Sequence, residues 1–228
     1  IRSVTKDYLS WNSRYEVPKY KNLVIKVRSL DKNTTALDIE NIFREGELLF
    51  KASNDFFSPY IVNFCKTVTD KQVEQIDIFF KERIKKWEDS NKDSENLSPE
   101  ERTVESVKGL AKFLGVKLNK TQLKEIKLLS KKSKRTEISS IKRQSDWNDK
   151  MVSILKNRNS EDFEIDLSGH LTGLLNQTER SDQEALFQEI IATTIVSLNT
   201  NQRKKFDRRL KVFISSLDKI IKSHNQEN

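Results

Sequence analysis

Four times in this chain an apolar residue is followed by a capping side chain and, three positions beyond the cap, by Gln or Glu. The motif stands at Val68-Thr69-Asp70-Lys71-Gln72, Leu97-Ser98-Pro99-Glu100-Glu101, Leu118-Asn119-Lys120-Thr121-Gln122 and Leu198-Asn199-Thr200-Asn201-Gln202. In such a capping box the oxygen of Thr69, Ser98, Asn119 or Asn199 accepts an amide that the first helical turn leaves without a partner. Gln72, Glu101, Gln122 or Gln202 then reaches back to the amide of the cap itself. Each box fixes a helix start, and an apolar stripe follows. After the first, Val73, Ile76, Phe80, Ile84 and Trp87 recur at steps of three and four, the spacing of one helical face. The chain is therefore expected to be all-α, an elongated bundle of about seven to nine antiparallel amphipathic helices.

Composition agrees with this. Hydrophobic residues make up 35% and charged residues 33% of the chain, a surface-rich profile that suits long two-faced helices. Five Gly and three Pro are too few for a sheet protein with many tight turns or for a Gly-rich phosphate cradle. No apolar run approaches the roughly 18 residues of a membrane-spanning helix.

Residues 1–30 read as a helix carrying Val4, Tyr8, Trp11 and Tyr15, with a kink or break expected at Pro18, which lacks an amide. A second helix is expected over 36–57. Ser58-Pro59 should restart the chain as a short helix to about residue 66, since Pro is favoured just inside a helix start. The all-polar stretch 89–96 reads as a mobile linker, giving an N-terminal segment over 1–90 and a C-terminal one over 97–228, with one continuous domain as the alternative. Gly115 is placed to close the helix begun at Pro99. The stretch opened at Asn119 continues past Met151 and Leu155, either as one long helix or bent near Ser133 or Ser145. Two shorter helices flank Asn176-Gln177-Thr178, and a last one carries Phe206, Leu210, Phe213 and Ile214.

Little in the chain points to catalysis. Of its two histidines, His224 lies in a polar tail and His170 has no evident carboxylate partner in sequence, so no general base or metal pair is expected. Cys65 is alone in an apolar run and reads as a buried structural thiol. The carboxylate pairs Glu45/Glu47 and Glu100/Glu101 read as solvated helix faces or first-turn acids. The expectation is a non-enzymatic protein with no catalytic residue, no cofactor and no metal site.

Net charge is +8, unevenly placed: residues 115–160 hold thirteen Lys or Arg against four Asp or Glu. Lys127, Lys131, Lys132, Lys134, Arg135, Lys142 and Arg143 are the candidate contacts for a polyanion or an acidic partner. Only Trp147 stands near them to stack on a base, so nucleic acid is the less favoured ligand.

Several motifs together resemble an uncharacterised family of bacterial lipoproteins, helical and of unknown function. They are Trp11 with Glu16-Val17-Pro18-Lys19-Tyr20, then Val68-Thr69-x-x-Gln72, Glu101-Arg102, Phe113-Leu114-Gly115-Val116-Lys117-Leu118-Asn119-x-x-Gln122 and Leu198-Asn199-x-x-Gln202-Arg203-x-x-Phe206. Asn stands at 119 and 199 where that family commonly has Thr or Ser, which keeps an acceptor at the cap. The resemblance implies export, a lipid anchor on an N-terminal Cys that would precede Ile1, and a helical body on the periplasmic side of the outer membrane. There it would pack against other proteins of an envelope or secretion assembly. The alternative is a cytoplasmic polyanion binder using 115–160.

Overall fold

A computed structural model of the chain describes residues 2–94, 97–134, 137–173 and 181–226. Among these the chain is helix and connecting turn, with no strand. The helices are α1 (Arg2–Trp11), α2 (Val17–Ser29), α3 (Ala36–Cys65), α4 (Asp70–Ser94), α5 (Pro99–Phe113), α6 (Lys120–Ser130), α7 (Glu137–Lys156), α8 (Phe163–Gly173), α9 (Asp182–Val196) and α10 (Thr200–Gln226).

Neither Pro18 nor Pro59 ends the helical run in which it lies. A single π turn, Asn12–Glu16, joins α1 to α2, and the Val17 amide donates to the Asn12 carbonyl. The wider turn lies directly ahead of Pro18 and absorbs its missing donor without ending the helix. Pro59 lies inside α3, which runs unbroken where a restart at Ser58-Pro59 was expected. The cost of one absent hydrogen bond is outweighed there by anchoring on both sides, with Leu49 buried before it and Val62 and Cys65 after it.

The expected capping boxes at Thr69, Asn119 and Asn199 form. Gln72 accepts from the Thr69 amide at 2.8 Å while Thr69 accepts from the Gln72 amide at 3.3 Å. The pairs Asn119/Gln122 and Asn199/Gln202 close at 2.9–3.0 Å in both directions. Ser98 and Glu101 stand at the cap and third positions of α5. Ser181 and Glu184 add a box at the start of α9, legible in the sequence as Ser-Asp-Gln-Glu but not anticipated. Gly115, at φ 78°, ends α5 as expected. The Val116 amide returns to the Ala111 carbonyl at 2.8 Å and the Gly115 amide to that of Lys112 at 3.0 Å, a Schellman closure that requires the left-handed conformation glycine tolerates.

The stretch after Asn119 divides near Ser133 and not at Ser145: α6 stops at Ser130, and α7 runs through Ser145. The hydroxyls of Thr103 and Ser133 meet at 2.9 Å, and the Lys134 amide donates to Gln183 Oε1 at 2.9 Å, fixing the chain in that turn. The expected linker at 89–96 is also replaced, because α4 continues to Ser94; residues 95–96 and the stretch 174–180 around Asn176-Gln177-Thr178 lie outside the described residues.

Helices distant in sequence pack into two compact units. The first combines Ile1–Phe50, Pro99–Lys134 and Glu179–Asn228; the second combines Lys51–Ser98 with Arg135–Thr178. This is a different division from 1–90 and 97–228, since each unit is built from separated stretches whose apolar stripes meet only in three dimensions. In the first, α10 lies antiparallel to α2, with Lys21 on Asp218 and Arg28 on Asp207, both at 2.6 Å. Its core includes Ile39, Ala111, Val116, Ile195, Phe206 and Leu210. In the second, α4 and α7 run antiparallel from the Asp70–Arg158 pair at 2.6 Å to the edge-on contact of Phe80 with Trp147. Val73, Leu155, Phe163 and Leu167 fill its centre, together with Cys65, whose thiol burial pushes up from its ordinary value.

Candidate interaction surface

The seven basic residues singled out in the sequence are divided by the fold. Lys127, Lys131, Lys132 and Lys134 belong to the first unit and Lys142 and Arg143 to the second, while Arg135 lies outside the described residues. Several already have partners. Lys127 faces Glu100 at 3.7 Å, Lys134 faces Asp182 at 3.8 Å, Lys142 faces Asp146 at 3.2 Å, and Arg143 donates to Ser140 Oγ at 3.3 Å. One of these acids is a turn away on α7, while Glu100 comes from α5 and Asp182 from the start of α9, so folding pairs three of the lysines separately.

His170 is a core histidine. Its ring stacks on Trp147 at 4.6 Å and 18°, and its Nε2 lies 2.9 Å from the Trp147 carbonyl, while Trp147 Nε1 donates to the His170 carbonyl at 3.3 Å. Burial holds the imidazole below its ordinary value, partly offset by the bond to Trp147, and Lys150 lowers it further. The sign of the resulting pH dependence is fixed. The unfolded chain takes up a proton near about 6.5, and the folded chain only at lower pH. Stability is therefore flat above that value, falls as pH drops below it, and levels out once folded His170 is protonated. Denaturant titrations across this window should show the slope in the wild type and lose it in His170→Phe, which keeps the stack and cannot titrate.

No group of three or more His, Cys, Asp or Glu placed to hold a metal occurs among the described residues. A groove of about 320 Å³ between α4 and α7 is lined by Asp77, Ile84, Glu88 and Asp149 among others. Its charges are partly paired, since Lys81 sits on Asp77 at 2.8 Å, which raises the lysine above its ordinary value. In the first unit a cavity of about 30 Å³ against Phe206 is wholly apolar and about large enough for one water.

Two features of the first unit were not anticipated. Gln122 and Gln202, expected to be helix-start residues only, are 4% and 7% exposed. Gln122 Nε2 donates to Gln202 Oε1 at 3.0 Å, and Gln202 Nε2 returns to Gln122 Oε1 at 2.8 Å. Each amide also reaches the loop of the opposite hairpin: Gln122 the Ser197 carbonyl at 2.9 Å, Gln202 the Lys117 carbonyl at 2.7 Å. The near-identical Leu-Asn-x-x-Gln sequences are thus the two halves of one buried contact. The second feature is large apolar exposure on α3, where Leu37 and Leu48 are both 60% exposed and Phe50 is 63% exposed.

The class is now defined: an all-α protein of helical hairpins turned at capping boxes, with no described helix long and apolar enough to cross a membrane. The model of a family of unknown function, DUF6279, matches residues 1–181, and the chain belongs to that family. Neither a curated protein nor a solved structure matches it.

Proposed function

We propose that this protein is a non-enzymatic scaffold of the cell envelope, the periplasmic-side body of a lipoprotein that packs against other proteins of an outer-membrane assembly. The observation that carries the reading is the apolar exposure on α3. Leu37 and Leu48, eleven residues apart, share one helical face, and Phe43 and Phe50, seven apart, share another. Side chains of this size left in water at such exposure favour burial against a partner. The envelope placement is supported by the lipoprotein resemblance in the Trp11, Glu16-Val17-Pro18-Lys19-Tyr20 and Asn-x-x-Gln motifs.

Affinity isolation of the full-length protein from detergent-solubilised membranes tests this. A stoichiometric partner is expected, and Leu48→Glu with Phe50→Glu should release it while the helical circular dichroism stays unchanged. A protein that is monomeric and brings down no partner from membranes would remove the assembly reading. The gene sequence immediately upstream of Ile1 tests the anchor independently: a signal peptide ending in a lipid-accepting Cys is expected, and a cytosolic domain there would overturn the placement.

A further inference from the structure

The positive charge of the chain belongs to the first unit. Its stretches hold 28 Lys or Arg against 18 Asp or Glu, whereas the second unit holds 14 against 16. Among the helices of the first unit α10 carries the largest excess, eight Lys or Arg against two acids. At the helical repeat of about 100° per residue, Lys204, Arg208, Lys211, Lys219 and Lys222 fall within one narrow arc, a row about 27 Å long. All five are exposed. The two acids of the helix border the row, within about 60° of Lys204 and Lys222, and are tied to α2, Asp207 to Arg28 and Asp218 to Lys21. Of the row, Lys211 also touches Asp207, at 3.0 Å. This surface lies beyond the residues matched by the family.

We infer that the exposed face of α10 docks on the surface of a bilayer containing anionic phospholipid. The row is straight and rich in lysine, which gives point charges on flexible stems suited to a plane of phosphate head groups. Beside it on the same exposed half of the helix stands Val212, 52% exposed. This apolar side chain can enter the head-group region while the lysines stay at its surface. Nucleic acid fits less well. The nearest rings, Phe113 and Phe213, are stacked on each other at 5.5 Å, and the Arg209 guanidinium lies 4.7 Å from the Phe213 centroid. Phe213 also lies on the side of α10 away from the row, so the pair is not placed to stack bases beside it.

The inference does not depend on the protein-docking role of α3, and its test is separate. The purified full-length chain is co-sedimented with phosphatidylcholine vesicles, with and without phosphatidylglycerol, across a salt series. Binding is expected only to the anionic vesicles and should weaken as salt rises. Replacing Lys204, Arg208, Lys219 and Lys222 together by Gln should lower the partition coefficient on the order of a hundredfold or more. The pairs Lys204→Gln/Arg208→Gln and Lys219→Gln/Lys222→Gln should each give part of that loss, and Lys142→Gln/Arg143→Gln none of it. No binding to anionic vesicles at low salt, undiminished binding by the fourfold variant, or binding of a short DNA strand in preference to vesicles would each overturn it.

Discussion

Replacing Gln122 by leucine is expected to destabilise the protein by about 3–5 kcal/mol, far more than loss of an ordinary helix cap, which costs about 1 kcal/mol. The difference lies in what the amide leaves behind. Its Oε1 accepts from the Asn119 amide at 2.9 Å and from Gln202 Nε2 at 2.8 Å, and its Nε2 serves the Ser197 carbonyl and Gln202 Oε1. A leucine strands these groups at a site only 4% exposed, and each buried polar group without a partner costs about 1–3 kcal/mol. Gln202→Leu should behave alike. The double variant should cost less than the two single losses added together, by about 0.5–3 kcal/mol, because each single change strands the amide that the other would have removed. Denaturant unfolding of the four proteins measures this, and strict additivity would show that the two hairpins are not coupled through the pair. Gln72, in the same kind of box, is exposed, and Gln72→Leu should cost only the cap.

Phe206→Ala should cost about 3–5 kcal/mol, whereas Phe50→Ala should change the stability of the isolated protein by no more than about 0.5 kcal/mol. Phe206 is 1% exposed and packs in the core with Ile39, Val116 and Ile195; Phe50 is 63% exposed. The existing cavity beside Phe206 means that truncation enlarges a void already present, and rigid helix backbones on several sides limit collapse into it. Thermal or urea unfolding of both variants decides the matter. Equal losses would mean that Phe50 is buried in solution by self-association.

The two phenylalanines mark where local reading stops. Both stand at plausible apolar-stripe positions, and nothing within four residues of either says which one finds the core. The basic segment behaves similarly. Charge counting drew attention to 115–160, yet the fold neutralises Lys127, Lys134 and Lys142 one by one. The cationic row lies on α10, where Asp207 and Asp218 are tied to α2 and Asp207 also takes Lys211. A helical projection of the last helix would have displayed that row, but not which side of it was free.

By itself the sequence determined the fold class, the helix starts at Thr69, Asn119 and Asn199, the stop at Gly115 and the burial of Cys65. These follow from hydrogen bonds and steric limits that act within one or two turns, or from apolar runs that admit one outcome. Only the tertiary structure decided that Pro18 and Pro59 would be carried through, and that the chain would pack as two interleaved units and not divide at 89–96. It alone also turned Gln122 and Gln202 from caps into a buried clasp. Those outcomes depend on apolar faces and polar groups from stretches far apart in sequence, 80 residues for Gln122 and Gln202 and 179 for Arg28 and Asp207, whose mutual burial outweighs the local preference at each position.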